Sequence, residues 1–400
     1  MNACSSVGAA AAAPAKPAWG AVFALALGVF GLVTAEFLPA SLLTPMAASL
    51  GVTEGMAGQA VTATAAVALV TSLVIATATR NIDRRWVLLG FSVLLIASNL
   101  LVAFAPSLLV LLFGRVLLGI AIGGFWTMSA ATTMRLVPEA MVPRALAIIF
   151  SGVSAATIAA APMGSYFGHL IGWRNVFLLA VSLGVLALVW QALTLPRMAP
   201  SGANRLGTLV EVLRRPGIGL GMLACIMVFT GHFAFFTYLR PFLEGVPGVG
   251  VNGLSAMLLG FGVANFIGTS LSGLILQRGL RLTLLLMPLA MGAIGIGLNS
   301  MGTTPLGAAV LVSLWGMAFG AVPVAWSTWV TRAIPDEAES GGGLIVAAVQ
   351  LAITTGAAAG GAIFDASGAH GVFTASAVLL LMASLLIFRG FRTPRVLAAS

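Results

Sequence analysis

The chain has 400 residues, of which 60% are apolar and 7% charged, with a mean hydropathy of +1.10. Ordinary globular proteins carry roughly 25% charged residues, so a soluble surface is excluded and a polytopic membrane protein remains. The 19 Lys and Arg outnumber the 10 Asp and Glu, and the sequence pI is near 11.3; in a soluble protein that excess would suggest nucleic acid.

A spanning helix needs about 20 mainly apolar residues, because the hydrocarbon core is about 30 Å thick. Residues 1–18 carry one Lys and no apolar core; a disordered cytoplasmic N-terminus is expected there rather than a cleavable signal. Six apolar runs follow: Trp19–Leu42, Gly58–Thr79, Trp86–Phe104, Leu108–Met134, Ala145–Phe167 and Val176–Leu195. They predict a six-helix bundle over 19–195. A polar linker over 196–216 holds Arg197, Arg205, Arg214 and Arg215. A second bundle, 217–390, is predicted from Gly217–Leu239, Leu254–Leu276, Leu282–Asn299, Pro305–Thr331, Gly342–Phe364 and Val372–Phe388. Residues 391–400 are expected to form a cytoplasmic tail. Pro39, Pro162, Pro288 and Pro323 fall inside runs, which neighbouring helices can accommodate. The fold class is all-α membrane protein.

The basic residues test the count. With the N-terminus in the cytoplasm, sixteen of the 19 lie inside, as the positive-inside rule requires. Arg174 and Arg240 fall outside, and Arg115 lies within the fourth run. The charge excess is therefore a code for orientation. Cys4 and Cys225 make at most one bridge, and no zinc-ligand spacing occurs, so no metal or cofactor is expected.

The halves repeat. Gly119, Gly123, Arg135, Pro138 and Gly164 match Gly316, Gly320, Arg332, Pro335 and Gly361 at an offset of 197. Thr34-Ala35-Glu36-Phe37 overlies Thr230-Gly231-His232-Phe233 at 196. Small-residue spacings alone report close helix packing; the fixed offset points to two parallel six-helix repeats, the plan of the major facilitator transporters.

Three motifs add to that plan: Arg115-x-x-x-Gly119-x-x-x-Gly123, Ala161-Pro162-Met163-Gly164 and Asp83-Arg84-Arg85. They resemble the proton-coupling arginine motif, the antiporter motif and the tail of the cytoplasmic gating motif of the major facilitator superfamily. Arg80 and Asn81 stand where the gating motif usually has aspartate and arginine; turn and orientation duties explain Arg84 and Arg85 equally well. EFLPASLLTPMA from Glu36, GGFWTMSA from Gly123, TMRLVP from Thr133, IGWRNVF from Ile171, FAFFTY from Phe233 and PVAWSTWVTR from Pro323 resemble the bacterial purine ribonucleoside exporters of the drug:proton antiporter branch. The resemblance implies export of nucleosides such as inosine and guanosine by alternating access, in exchange for protons, across the bacterial inner membrane. It also implies a cytoplasmic gate at Asp83, Arg84 and Arg85, and an antiporter-motif helix at Pro162 and Gly164.

Glu36, Arg115 and His232 are the ionisable groups left inside the runs, and such groups are functional candidates by default. At 1.5 Å per residue they lie about 13, 10 and 13 Å deep, at one level. Glu36 is expected to carry the proton and Arg115 to stabilise its charged form. His232 is expected as a second proton site or a substrate partner. A fixed structural Glu36–Arg115 pair is the bland reading.

A nucleoside calls for an aromatic wall and neutral polar groups. Thr34, Phe37, Phe125, Trp126, Phe233, Phe236, Tyr238, Asn265, Trp326, Trp329 and Gln350 are the expected cavity residues; for any aromatic alone, lipid contact or packing explains it as well. A multidrug or sugar exporter of the same fold is the alternative. A membrane enzyme is disfavoured, since no His-Glu-x-x-His or Gly-x-Ser-Gly motif occurs. The expected partners are a small-molecule substrate, protons and the bilayer, with no nucleic acid and a monomeric chain.

Overall fold

The computed structural model describes residues 17–199, 211–334 and 338–390. The expectations for residues 1–16, most of the linker and the tail 391–400 lie outside the described residues. The first half crosses the bilayer in six helices: Trp19–Ser41, Glu54–Ala78, Arg84–Ala103, Leu108–Leu136, Val142–Ile171 and Trp173–Thr194. These are spans 1 to 6. Spans 7 to 10 are Ile218–Thr237, Val251–Gln277, Leu280–Met301 and Pro305–Ala333. The last apolar helix is 50 residues long, Gly341–Gly390. That is about 75 Å at 1.5 Å per residue, more than twice the hydrocarbon core. Gly368, with φ 71° and ψ −172°, breaks it into spans 11 and 12. Among the described residues there are therefore twelve crossings.

Local chemistry sets the ends. Asp83 caps span 3 by accepting the Arg85 N–H at 2.8 Å. Span 10 starts at Pro305, and the Thr304 hydroxyl accepts from Gly307 N–H. Two short helices, absent from the sequence expectations, follow spans 1 and 7: Leu43–Leu50 and Leu239–Glu244. Their first residues are 196 apart, the offset read from the sequence. Spans 1 and 7 consequently end at Ser41 and Thr237. Glu36 and His232 each lie five residues, about 7.5 Å, below those ends, shallower than the estimated 13 Å, and the short helices lid them instead.

The repeat is also visible in packing. A Cβ on Gly119 or Gly123 would strike the carbonyl of Thr64 or Ala68; one on Gly316 or Gly320 would strike that of Phe261 or Asn265. Each struck residue is again 197 from its counterpart. Spans 2 and 4, and spans 8 and 10, thus cross at backbone contact, which only glycine permits. Between the halves, span 2 packs on span 11 and span 5 on span 8. Polar groups add to this packing: Gln191 accepts from Ser92 at 2.8 Å and donates to the Ala24 carbonyl, joining spans 1, 3 and 6.

Candidate functional site

A cavity of about 790 Å³ lies between the halves, lined by spans 1, 4, 5, 7, 8, 10 and 11. Its walls run from Glu36 and Phe37 to Thr331 and Arg332, the residues where span 10 ends. Spans 4 and 10 finish, and spans 5 and 11 begin, at that end of the molecule. It also carries Arg80, Arg84, Arg85, Arg135 and Arg144, so the cavity opens at the arginine-rich end.

The opposite end is shut by contacts between the halves. Thr53 Oγ1 and Gly55 N–H both donate to the Asp365 carboxylate, at 2.9 and 3.1 Å. Thr44 donates to Glu244 at 2.6 Å; Glu244 also pairs with Arg240 at 2.8 Å, and Arg240 donates to the Ser41 carbonyl. Gly361 packs against Gly55, where a Cβ would meet backbone. The two short helices therefore form part of the seal.

At the sealed depth sits Glu36. Among the described residues its carboxylate has no hydrogen-bond or ion-pair partner, and the side chain faces the cavity. Arg115, fully buried, does not meet that carboxylate. Its Nη1 donates to the Ala35 carbonyl at 2.8 Å, Nε to Ala60 at 3.2 Å, and Nη2 to the backbone carbonyl of Glu36 at 3.4 Å. The guanidinium staples span 4 to spans 1 and 2. It fixes the backbone of Glu36 and leaves the carboxylate to the cavity.

The second half supplies an aromatic wall. His232 lies flat on Phe319, with ring centroids 3.3 Å apart and planes 2° apart. Phe236 and Phe261 are nearly parallel to it at 5.9 and 6.3 Å, and Phe233 meets its edge. Phe37 reaches across from span 1 to Phe236, edge to face. Gln350 and Asn265 bring amides to the same space. The Gln350 Oε1 is buried without a partner.

Of the expected cavity residues, Phe37, Trp126, Phe233, Phe236, Asn265 and Gln350 line it, together with Glu36 and His232. Five do not. Phe125 is core of the first half, and Trp326 and Trp329 are core of the second, meeting edge to face. Trp329 is nine residues from the cavity-lining Gly320, about 180° around the helix. Tyr238 is buried at the sealed end and donates to the Ala357 carbonyl at 3.0 Å. Thr34 has a buried hydroxyl away from the lining. The sequence reading missed Phe319, Phe150, Ser154, Thr157 and Thr269, which do line the cavity. Phe319 and Pro323 share a face at i, i+4, the spacing that could have revealed them.

The motif residues have local partners. Asp83 accepts from Met198 N–H at 3.0 Å, Arg85 donates to the Ala192 carbonyl, and Arg84 donates to Thr79. The Asp83 and Arg85 contacts pin the start of the linker and span 6 to span 3, within the first half. Gly164 lets span 5 lie against Ser41 and Leu38 of span 1; Pro162 is buried in the same helix.

A sequence model described as Major Facilitator Superfamily matches residues 25–354. The chain belongs to the major facilitator superfamily. Curated relatives include the purine ribonucleoside efflux pumps NepI of Salmonella enteritidis PT4 and of Salmonella typhimurium, each 48% identical over 373 residues, covering 93% of this chain and 94% of theirs. Solved structures agree on the fold: a D-xylose–proton symporter (TM-score 0.76, 15% identity, 94% of this chain and 97% of that one) and a bacterial homologue of the lysosomal transporter Spinster in an inward-facing conformation (0.73, 16%, 95% and 98%). The protein is a multi-pass membrane transporter of this superfamily, not an enzyme.

Proposed function

We propose that this transporter exports purine ribonucleosides of the inosine and guanosine type across the bacterial inner membrane, driven by the proton gradient. The observation that carries the reading is the pairing, in one cavity, of a stacked aromatic wall with an unpartnered carboxylate. A flat, neutral ligand stacks against the aromatic wall at Phe236 and Phe319; amides at Asn265 and Gln350 meet its polar edges. Glu36, held by Arg115 through its backbone, takes up and releases the proton. The 48% identity to pumps named for purine ribonucleosides supports the substrate class.

Both termini lie in the cytoplasm in this reading, since it places the arginine-rich end inside. The cavity is then open to the cytoplasm, ready for loading. Rearrangement of the Thr44–Glu244 and Asp365–Gly55 contacts would open the other side. The chain acts as a monomer, without metal or cofactor. A thermal-shift series on the purified protein with nucleosides, sugars and lipophilic cations tests the substrate. Stabilisation by inosine and guanosine alone supports the reading; stabilisation by sugars or cations without nucleosides overturns it.

A further inference from the structure

Neutral imidazole has one donor and one acceptor nitrogen, and its neighbours choose between them. In span 7, the choice is made for His232 by Trp315. The Trp315 Nε1–H donates to His232 Nδ1 at 3.2 Å. An indole nitrogen can only donate, so Nδ1 must accept and the proton resides on Nε2. Among the described residues Nε2 has no protein partner, and His232 lines the cavity.

Trp315 is itself immobilised. It is fully buried, stacked on Phe235 at 3.8 Å and 11°, with Gly295 giving its ring edge room. Phe319 covers the His232 face at 3.3 Å. Ring plane and tautomer are thus both set before any ligand arrives. At the repeat offset of 197, the first-half counterparts of Trp315 and Phe319 are Leu118 and Ile122. The first half, by contrast, places Glu36 where the second has His232. The repeat has diverged into a carboxylate in one half and a fixed N–H donor in the other.

We infer that His232 Nε2–H is a specificity-determining donor that reads an in-plane lone pair on the ligand's base, and that Trp315 is the positioning residue that keeps it a donor. The inference rests on the purine nucleoside reading given above. A purine offers ring-nitrogen lone pairs in its plane at N7 and N3. A ligand that lacks the one facing His232 leaves a buried donor unpaired, which is the costly kind of mismatch.

The test compares inosine with 7-deazainosine and 3-deazainosine in proteoliposomes, for the wild type, His232→Phe and Trp315→Phe. His232→Phe keeps a ring on Phe319 and removes the N–H. In the wild type, one deaza compound is expected to show a KM about tenfold above inosine, about 1.4 kcal/mol, with kcat little changed. His232→Phe should abolish that difference, and Trp315→Phe should shrink it while leaving kcat alone. The ligand-side comparison needs no variant, so it decides even if a substitution impairs folding. Wild-type protein that transports all three equally well, or His232→Phe with the wild-type preference intact, overturns this inference alone. Wild-type protein that transports no nucleoside overturns the functional reading, and this inference with it.

Discussion

The buried Arg115 guanidinium could be satisfied in two ways, by the Glu36 carboxylate or by the backbone carbonyls to which its three hydrogen bonds run among the described residues. The two arrangements make opposite predictions for Glu36→Gln. If the carboxylate neutralised a buried guanidinium, its removal would strand a charge and cost about 3–5 kcal/mol. With the guanidinium satisfied by Ala35, Glu36 and Ala60 main chain, the substitution is expected to cost less than about 1 kcal/mol. Arg115→Lys is expected to do the reverse. A single ammonium cannot reproduce the fork that spans two helices. Losing one charge-assisted bond costs about 1.5–3 kcal/mol, a drop in melting temperature of roughly 3–12 °C at about 2–4 °C per kcal/mol. Melting of both variants in detergent, followed by tryptophan fluorescence, is the assay. Glu36→Gln melting far below the wild type, with Arg115→Lys unchanged, would refute the backbone staple.

Phe236→Ala and Phe319→Ala should each raise the inosine KM severalfold in proteoliposomes while the protein still folds, since both rings face the cavity. Trp326→Ala should instead destabilise the second half by about 3–5 kcal/mol, seen as a lowered melting temperature; its ring is 1% exposed and in the core. Asp365→Asn combined with Glu244→Gln should loosen the seal, raising the labelling rate of a cysteine placed at Ala57 by an impermeant reagent added at the sealed end. Unchanged labelling would show that these contacts do not hold the seal.

The sequence reveals what depends on length, charge and repetition. Twelve crossings, the 196–197 offsets and the glycine crossings at Gly123 and Gly320 follow from patterns that a membrane leaves intact. Glu36 and His232 stand out because a polar group in an apolar run is conspicuous. Helix rotation is harder to read. In a soluble bundle the polar face reveals the phase. Here both the lipid face and the core are apolar, so Trp326 and Trp329 look as suitable for the wall as Phe319, yet they point the other way. The partners of Arg115 are also invisible, because backbone carbonyls carry no residue identity. Asp83 and Arg85 resemble a gate in sequence, while in space they cap span 3 and tie down Met198 and Ala192.

In the proposed function, Glu36 couples inosine movement to protons within this cavity. Inverted membrane vesicles with an imposed pH gradient measure it directly. Wild-type protein should accumulate labelled inosine when the gradient is applied, and Glu36→Gln should retain inosine exchange at zero gradient but lose gradient-driven accumulation. Accumulation by Glu36→Gln at the wild-type level would contradict the account.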